Sequence, residues 1–246
     1  MRNWISDPCL AIDCSENQCS ATLVVGENVL LERSESQGRR HSEFLLPAID
    51  GLLTEANMPL PEIKRLIFTR GPGAFTGLRI ALAAIQGLSF AANIPMYPVS
   101  TLLSLAYAGH RRLRCSNVLA VMDARMNQVY LAGYRFDQQG YKTLIPEQVV
   151  DPQRLSPVDV QAWQQDSKDW CCVGSGSGYQ EALETTLGAA HCVEHNIVSD
   201  EKGLTGATAV FHCAQALLDA SDVVAPGQVV EPTYLRDDVV QVKTKG

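Results

Sequence analysis

The segment best suited to chemistry is the glycine-rich stretch from Thr69 to Ile80, TRGPGAFTGLRI. A short apolar run precedes it and a helix-forming run follows it, so Gly71, Gly73 and Gly77 lie where a strand turns into a helix. Backbone N–H groups at such a turn can hold a phosphate, and glycine permits the close approach that this requires. The stretch lacks the Gly-Lys-Ser/Thr of a Walker A loop, and a tight structural turn that packs a helix on a sheet explains the same pattern.

Two acidic turns follow apolar runs elsewhere in the chain. Asp13 and Ser15 follow the run CLAI, and Asp123 follows the run VLAVM about 110 residues later. An acid at the end of a strand can serve a phosphate or metal site, but it also commonly stabilises a turn. The pattern therefore indicates either further parts of a phosphate site or two structural turns.

Other catalytic patterns are missing from the sequence. It contains no H-E-x-x-H, no G-x-S-x-G and no C-x-x-C. Cys9, Cys14 and Cys19 are spaced five residues apart, which matches no zinc motif, and they are predicted to be small buried residues on strands. We therefore predict no catalytic residue, no metal site and no cofactor, while weak nucleotide binding stays open.

The hydrophobic pattern predicts an α/β protein. A strand, an acidic turn and a hairpin strand occur near the N-terminus and again about 110 residues later, which indicates an internal duplication. The predicted strands are Cys9–Asp13, Ala21–Val25, Val29–Glu32, Arg65–Thr69, Met96–Val99, Val118–Asp123, Val129–Phe136 and Trp170–Val173. The predicted helices are Glu43–Met58, capped by Ser42, and then Phe75–Asn93, Leu102–His110, Tyr179–Leu187 and Thr208–Ala220.

The helix predicted after the glycine-rich stretch is apolar on nearly all sides. Within it, Ala83, Gly87 and Ala91 recur every four residues and form a stripe of small side chains. Such a stripe allows another helix to approach closely, and both burial inside the chain and binding to a partner account for it. Because Arg79 and Gln86 interrupt the apolar run, we expect no membrane-spanning segment.

Charge is distributed unevenly along the chain. The formal net charge is −7, which argues against a general nucleic-acid binder. The segment 63–122 nevertheless contains no Asp or Glu, and Arg111, Arg112 and Arg114 form a small basic cluster near its end that could contact tRNA phosphates. Most of this segment is predicted strand and apolar helix, so its lack of acids chiefly reflects burial.

Several motifs resemble the TsaB (YeaZ) family and occur in that family's order and spacing along nearly the whole chain. They are CLAIDCS, HSEFLLPAI, TRGPGAFTGLRIALAAIQGLSFA, VSTL, VMDARMNQVY, VGSGSGY and EPTYLR. The resemblance implies two related actin-like (ASKHA superfold) α/β domains, each a mixed sheet with helices. The N-terminal domain is expected over residues 1–104 and a reduced C-terminal domain over residues 105–246, whose last residues can pack back on the first domain.

The resemblance implies a scaffold and activator role in the cytoplasm rather than catalysis. With the catalytic subunit TsaD and the ATPase TsaE, such a protein supports transfer of a threonylcarbamoyl group from threonylcarbamoyl-AMP. The acceptor is the adenosine next to the anticodon of tRNAs that read codons beginning with A, and tRNA is contacted only through the complex. The alternative is a free-standing nucleotide-binding enzyme of the same fold, similar to an ATPase, a kinase or a protease.

The resemblance also suggests which residues bind. The N-terminal helices are expected to pair with TsaD, or with a second copy of the chain when TsaD is absent. The predicted interface residues are Leu45, Ile49, Leu53, Ala83, Gly87 and Ala91. Degenerate phosphate loops are expected at Asp13, Ser15, Gly71, Gly73, Gly77 and Asp123, because Cys14 and Ala124 stand where active ATPases of the fold have glycine.

Overall fold

The computed structural model describes residues 7–26, 29–36, 40–153, 170–179 and 206–235, and it confirms the predicted α/β class with two mixed sheets. The first sheet contains β1 (Cys9–Asp13), β2 (Cys19–Val25), β3 (Val29–Glu35), β4 (Arg65–Gly71) and β5 (Met96–Ser100). The second sheet contains β6 (Asn117–Arg125), β7 (Gln128–Asp137), β8 (Gly140–Val150) and β9 (Trp170–Val173). The helices are α1 (His41–Glu55), α2 (Phe75–Ala92), α3 (Thr101–Leu113) and α4 (Gly206–Leu217).

The two sheets share one strand pattern. Their strand orders are β3-β2-β1-β4-β5 and β8-β7-β6-β9. In each sheet, the first strand along the chain pairs antiparallel with its hairpin partner and parallel with a later strand. The repeated topology agrees with the internal duplication, and it places Asp13 and Asp123 at corresponding ends of β1 and β6.

The helices cover the first sheet on both faces. α1 and α2 bury apolar side chains such as Leu52 and Ile85 on one face. α3 and α4 lie between the two sheets, where Leu102 and Phe211 join one continuous apolar core. Polar contacts fix α4 on the first sheet as well, since the Thr22 and Thr208 hydroxyls are 2.8 Å apart.

The segment after α4 returns to the first sheet. Val224 and Met96 of β5 exchange backbone hydrogen bonds of 2.8 and 2.9 Å. Further along, the side-chain amide of Gln86 on α2 donates to the carbonyl oxygen of Val230 at 2.8 Å. Residues near the end of the described chain therefore pair with edge strand β5 of the first sheet and hydrogen-bond to α2.

Two elements differ from the prediction, and one predicted helix cannot be compared with the structure. α1 begins at His41, so Ser42 lies exposed in the first turn and is not its cap. β8 was not predicted, because most of its side chains are half-buried or exposed at a sheet edge and its hydrophobic signal is weak. The predicted helix Tyr179–Leu187 lies outside the described residues except for Tyr179, which ends a 3-10 turn.

Candidate functional site

The glycine-rich stretch packs directly on the turn that follows β1. The backbone N–H of Ala74 donates to the carbonyl oxygen of Ser15 at 2.6 Å. Gly73 and Gly77 approach this turn so closely that a Cβ at either position would overlap the carbonyl oxygen of Ser15 or Cys14, respectively. Glycine is required at both positions by this packing, which leaves little room for a phosphate between the two loops.

The Asp13 side chain is held by donors from its own chain. Its Oδ1 atom accepts a hydrogen bond of 2.9 Å from the Ser15 backbone and one of 2.7 Å from the Thr69 hydroxyl. The N–H that a phosphate loop would offer at Ser15 is therefore already used. With Gly71 at the end of β4, the structure brings five of the six predicted loop residues together at this end of the first sheet.

Asp123, the sixth residue, lies beside a cleft of about 990 Å³ that runs between the two sheets' loops. Its backbone N–H donates to the Ser175 hydroxyl at 3.3 Å, and that hydroxyl donates to Glu16 Oε1 at 2.6 Å. Ser175 therefore connects a loop of the first sheet to a loop of the second. The Asp123 carboxylate itself pairs with Arg125 at 3.1 Å.

The cleft is unfavourable for an anion. Burial raises the pKa of the Glu16 carboxyl, the Ser175 hydrogen bond lowers it, and the charges of Asp13 and Asp123 raise it. Arg125 is the one basic side chain among the described residues that line the cleft. The carboxyl groups of Glu16 and Asp123 outnumber the Arg125 guanidinium along the cleft, and this balance of charge disfavours phosphate.

The Ser175 bridge can be tested by unfolding experiments. Ser175→Ala is expected to lower the free energy of unfolding by about 1–2 kcal/mol, because it removes the hydroxyl donor from a partly buried carboxyl group. Ser34→Ala is the matched control, since Ser34 is exposed and lines the same cleft; its effect should stay within about 0.5 kcal/mol. Equal urea midpoints for the two variants would show that the bridge adds no stability.

The outer surface of α2 is apolar and exposed. Phe90 is 80% exposed, and the small residues Ala83, Gly87 and Ala91 on the same side of the helix are exposed too. On the adjacent helix α1, Leu46 is 54% exposed. We call these five residues the apolar helix face; exposed apolar surfaces are typical of sites that bind a protein, a ligand or a membrane.

Two of the predicted interface residues are buried within the chain itself. Leu45 and Ile49 are 1% and 2% exposed because they pack between α1 and the first sheet. Leu46 faces outward instead, and Leu53 is half-buried. α1 carries apolar side chains on more than one side, so helical spacing did not show which side the sheet covers.

α2 is the one helix among the described residues that is long and apolar enough to cross a membrane, with 28% of it buried. Three residues separate it from β4 and three from β5, and Leu78, Ala81 and Ile85 are buried along its inner side. A helix fixed along a sheet at both ends in this way cannot cross a bilayer. Its exposed apolar side is better matched to another protein.

Sequence reasoning missed four residues of these surfaces, which are Glu16, Ser175, Phe90 and Leu46. Glu16 and Ser175 are separated by 159 positions, and no sequence pattern links them before the two sheets are assembled. Phe90 was missed because α2 is apolar on nearly all sides. The helical spacing of Phe90 from Gly87 and Ala83 was the available signal, because the three positions lie on one side of an α-helix.

Comparison with known proteins places these features in a family. A family model described as TsaD, tRNA N6-adenosine threonylcarbamoyltransferase, matches residues 28–244. The tRNA threonylcarbamoyladenosine biosynthesis protein TsaB of Escherichia coli is 32% identical over 244 residues, covering 96% of this chain and 98% of that protein. The protein of the same name from Haemophilus influenzae is 30% identical over 248 residues, covering 96% and 97%.

A solved structure supports the same assignment. YeaZ from Pseudomonas aeruginosa superimposes with a TM-score of 0.73 at 33% sequence identity, covering 93% of this chain and 100% of that one. The sequence and structural matches both extend over nearly the full length of the relatives. These matches show that this chain belongs to the TsaB (YeaZ) family.

Proposed function

We propose that this protein is the non-catalytic scaffold and activator subunit of a tRNA threonylcarbamoyladenosine synthesis complex in the cytoplasm. It acts with TsaD and TsaE in the transfer of the threonylcarbamoyl group from threonylcarbamoyl-AMP to the adenosine next to the anticodon. It contacts tRNA through the complex rather than alone. The names of the curated relatives support the pathway.

The observation that carries the proposal is the apolar helix face. Phe90 and Leu46 expose large apolar side chains beside the small residues of α2, so a helix of a partner can approach closely and bury them. Because a TsaD-type model matches residues 28–244, we expect a TsaD partner to present a similar pair of helices. Pairing of equivalent helices about a two-fold axis buries both faces, and a second copy of this chain takes the same place when TsaD is absent.

The acidic cleft supports a non-catalytic role. The Asp13 carboxylate accepts a hydrogen bond from the Ser15 N–H, and the Glu16 carboxyl accepts one from the Ser175 hydroxyl beside Asp123. Hydrolysis of a nucleotide needs donors and cations around the transferred phosphoryl group. This cleft supplies carboxylates instead, so the reacting groups are expected in TsaD.

Reconstitution tests the proposal. Purified chain, TsaD and TsaE of one bacterium are combined with tRNA, threonine, bicarbonate, ATP and the enzyme that forms threonylcarbamoyl-AMP. We expect modified adenosine only when this chain is present with both partners, and none when it replaces TsaD. Full modification without it, or turnover of ATP by the isolated chain at micromolar affinity, would instead favour the free-standing enzyme.

A further inference from the structure

Three metal-ligating side chains meet beneath the loop formed by residues 15–18. The Sγ atoms of Cys14 and Cys19 are 2.7 Å apart, and together with a ring nitrogen of His41 they all lie within 4.8 Å of one another. The two cysteines are 0% exposed and His41 is 6% exposed, and both thiols are free. Neither the acidic cleft nor the apolar helix face uses these groups.

The fold brings the three residues together from separate elements. The β1–β2 hairpin ends with Asp13 opposite Ser20, so Cys14 and Cys19 occupy the next opposed positions across the same hairpin. His41 is the first residue of α1, and its Nε2 atom is 3.1 Å from the carbonyl oxygen of Asn17. Rigid elements on both sides therefore position the ligands.

The donor set has a clear chemical preference. Two thiolate sulfurs and one imidazole nitrogen suit zinc, whereas magnesium and calcium require oxygen ligands. Two sulfurs that each lie ~2.3 Å from a tetrahedral zinc are about 3.8 Å apart. Zinc binding therefore requires side-chain rotation that increases the distance between the Cys14 and Cys19 Sγ atoms by roughly 1 Å.

We propose that Cys14, Cys19 and His41 bind one zinc ion, which links the β1–β2 hairpin to the beginning of α1. The three residues leave the fourth tetrahedral position for a water molecule or another small donor. The loop formed by residues 15–18, which connects the two cysteines, lines the cleft. Since Cys14 also packs on Gly77, the ion would stiffen the junction from which both α1 and α2 start.

Zinc content of the full chain tests the proposal directly. Protein purified with a reductant, incubated with Zn²⁺ and then freed of excess metal should retain about one zinc per chain by mass spectrometry of the metal. Cys19→Ser and His41→Asn should each reduce this content at least about tenfold. Cys213→Ser is the control, because Cys213 is an equally buried free thiol on α4 that lies outside the cluster, and it should retain the zinc.

Two further measurements do not require the ligand variants to fold. Co²⁺ added to the unaltered protein should give the thiolate charge-transfer absorption of a tetrahedral cysteine site. Zn²⁺ should raise the melting temperature of the unaltered protein and of Cys213→Ser by several degrees, because it binds the folded state.

Several outcomes would overturn the proposal. They are a zinc content no higher in the unaltered protein than in Cys19→Ser, zinc retained by both ligand variants, or a Cys14–Cys19 disulfide in protein purified under reducing conditions. None of these outcomes bears on reconstituted tRNA modification, so the zinc site and the proposed function can fail separately.

Discussion

Gly87→Arg is expected to abolish co-purification with TsaD while the chain stays folded. Gly87 lies in the middle of the apolar helix face, and a guanidinium there would be buried without a partner when the helices pair. Burying an unpaired charge costs on the order of 3 kcal/mol or more, which corresponds to a loss of affinity of at least about 100-fold. Pull-down with tagged TsaD and a titration by calorimetry measure the loss.

The unbound chain should tolerate this change. A Cβ built at Gly87 has no neighbouring atom within 4 Å, so the new side chain extends into solvent and the thermal melt should remain cooperative. Thr143→Arg is the matched control, because it adds the same charge to an exposed position of β8 on the second sheet. Unchanged TsaD affinity in Gly87→Arg would place the interface elsewhere on the chain.

Gly77→Ala should be strongly destabilising, although it adds one methyl group to the same helix. Its Cβ would overlap the carbonyl oxygen of Cys14 and lie 3.2 Å from the carbonyl carbon, and this backbone is fixed at the end of β1. The atoms that overlap belong to the Cys14 backbone, so no side-chain rotation can relieve the overlap. α2 must therefore move, which costs about 3 kcal/mol. For a chain of this size the melting temperature should fall by roughly 6–12 °C.

Gly87→Ala is the comparison for that experiment. The exposed position has open space, and alanine is a better helix former than glycine, so the variant should gain about 0.5–1 kcal/mol. Urea unfolding of both proteins separates the effect of packing from that of helix propensity. Similar midpoints for the two variants would mean that α2 does not press on the Cys14 turn.

The strands and helices of the core were predictable because their hydrophobic patterns are set by burial. α2 was predicted over Phe75–Asn93 and observed over Phe75–Ala92. The missed strand β8 has one fully buried position, Ile145, and contains a proline, so its order depends on pairing with β7 rather than on its own sequence. Pairing with another strand cannot be predicted from the few residues of β8 alone.

The candidate sites were predictable only in part, for a similar reason. The loop residues Asp13 and Gly73 were found because each marks the end of a strand or the start of a helix. The opposed positions of Cys14 and Cys19 follow from the hairpin register, but the third member, His41, comes from a different element. The spacing of Cys14, Cys19 and His41 along the chain therefore matches no motif, although their side chains are neighbours in space.

The return of the chain to its first sheet determines the order in which that sheet can be completed during synthesis. When β5 leaves the ribosome, Ile67 and Val99 lack the cover that α4 later provides, and Met96 lacks its bridge to Val224. About 100 further residues must be added first, which takes on the order of 5–20 seconds at bacterial rates. The half that carries the apolar helix face is therefore finished last, although it is made first.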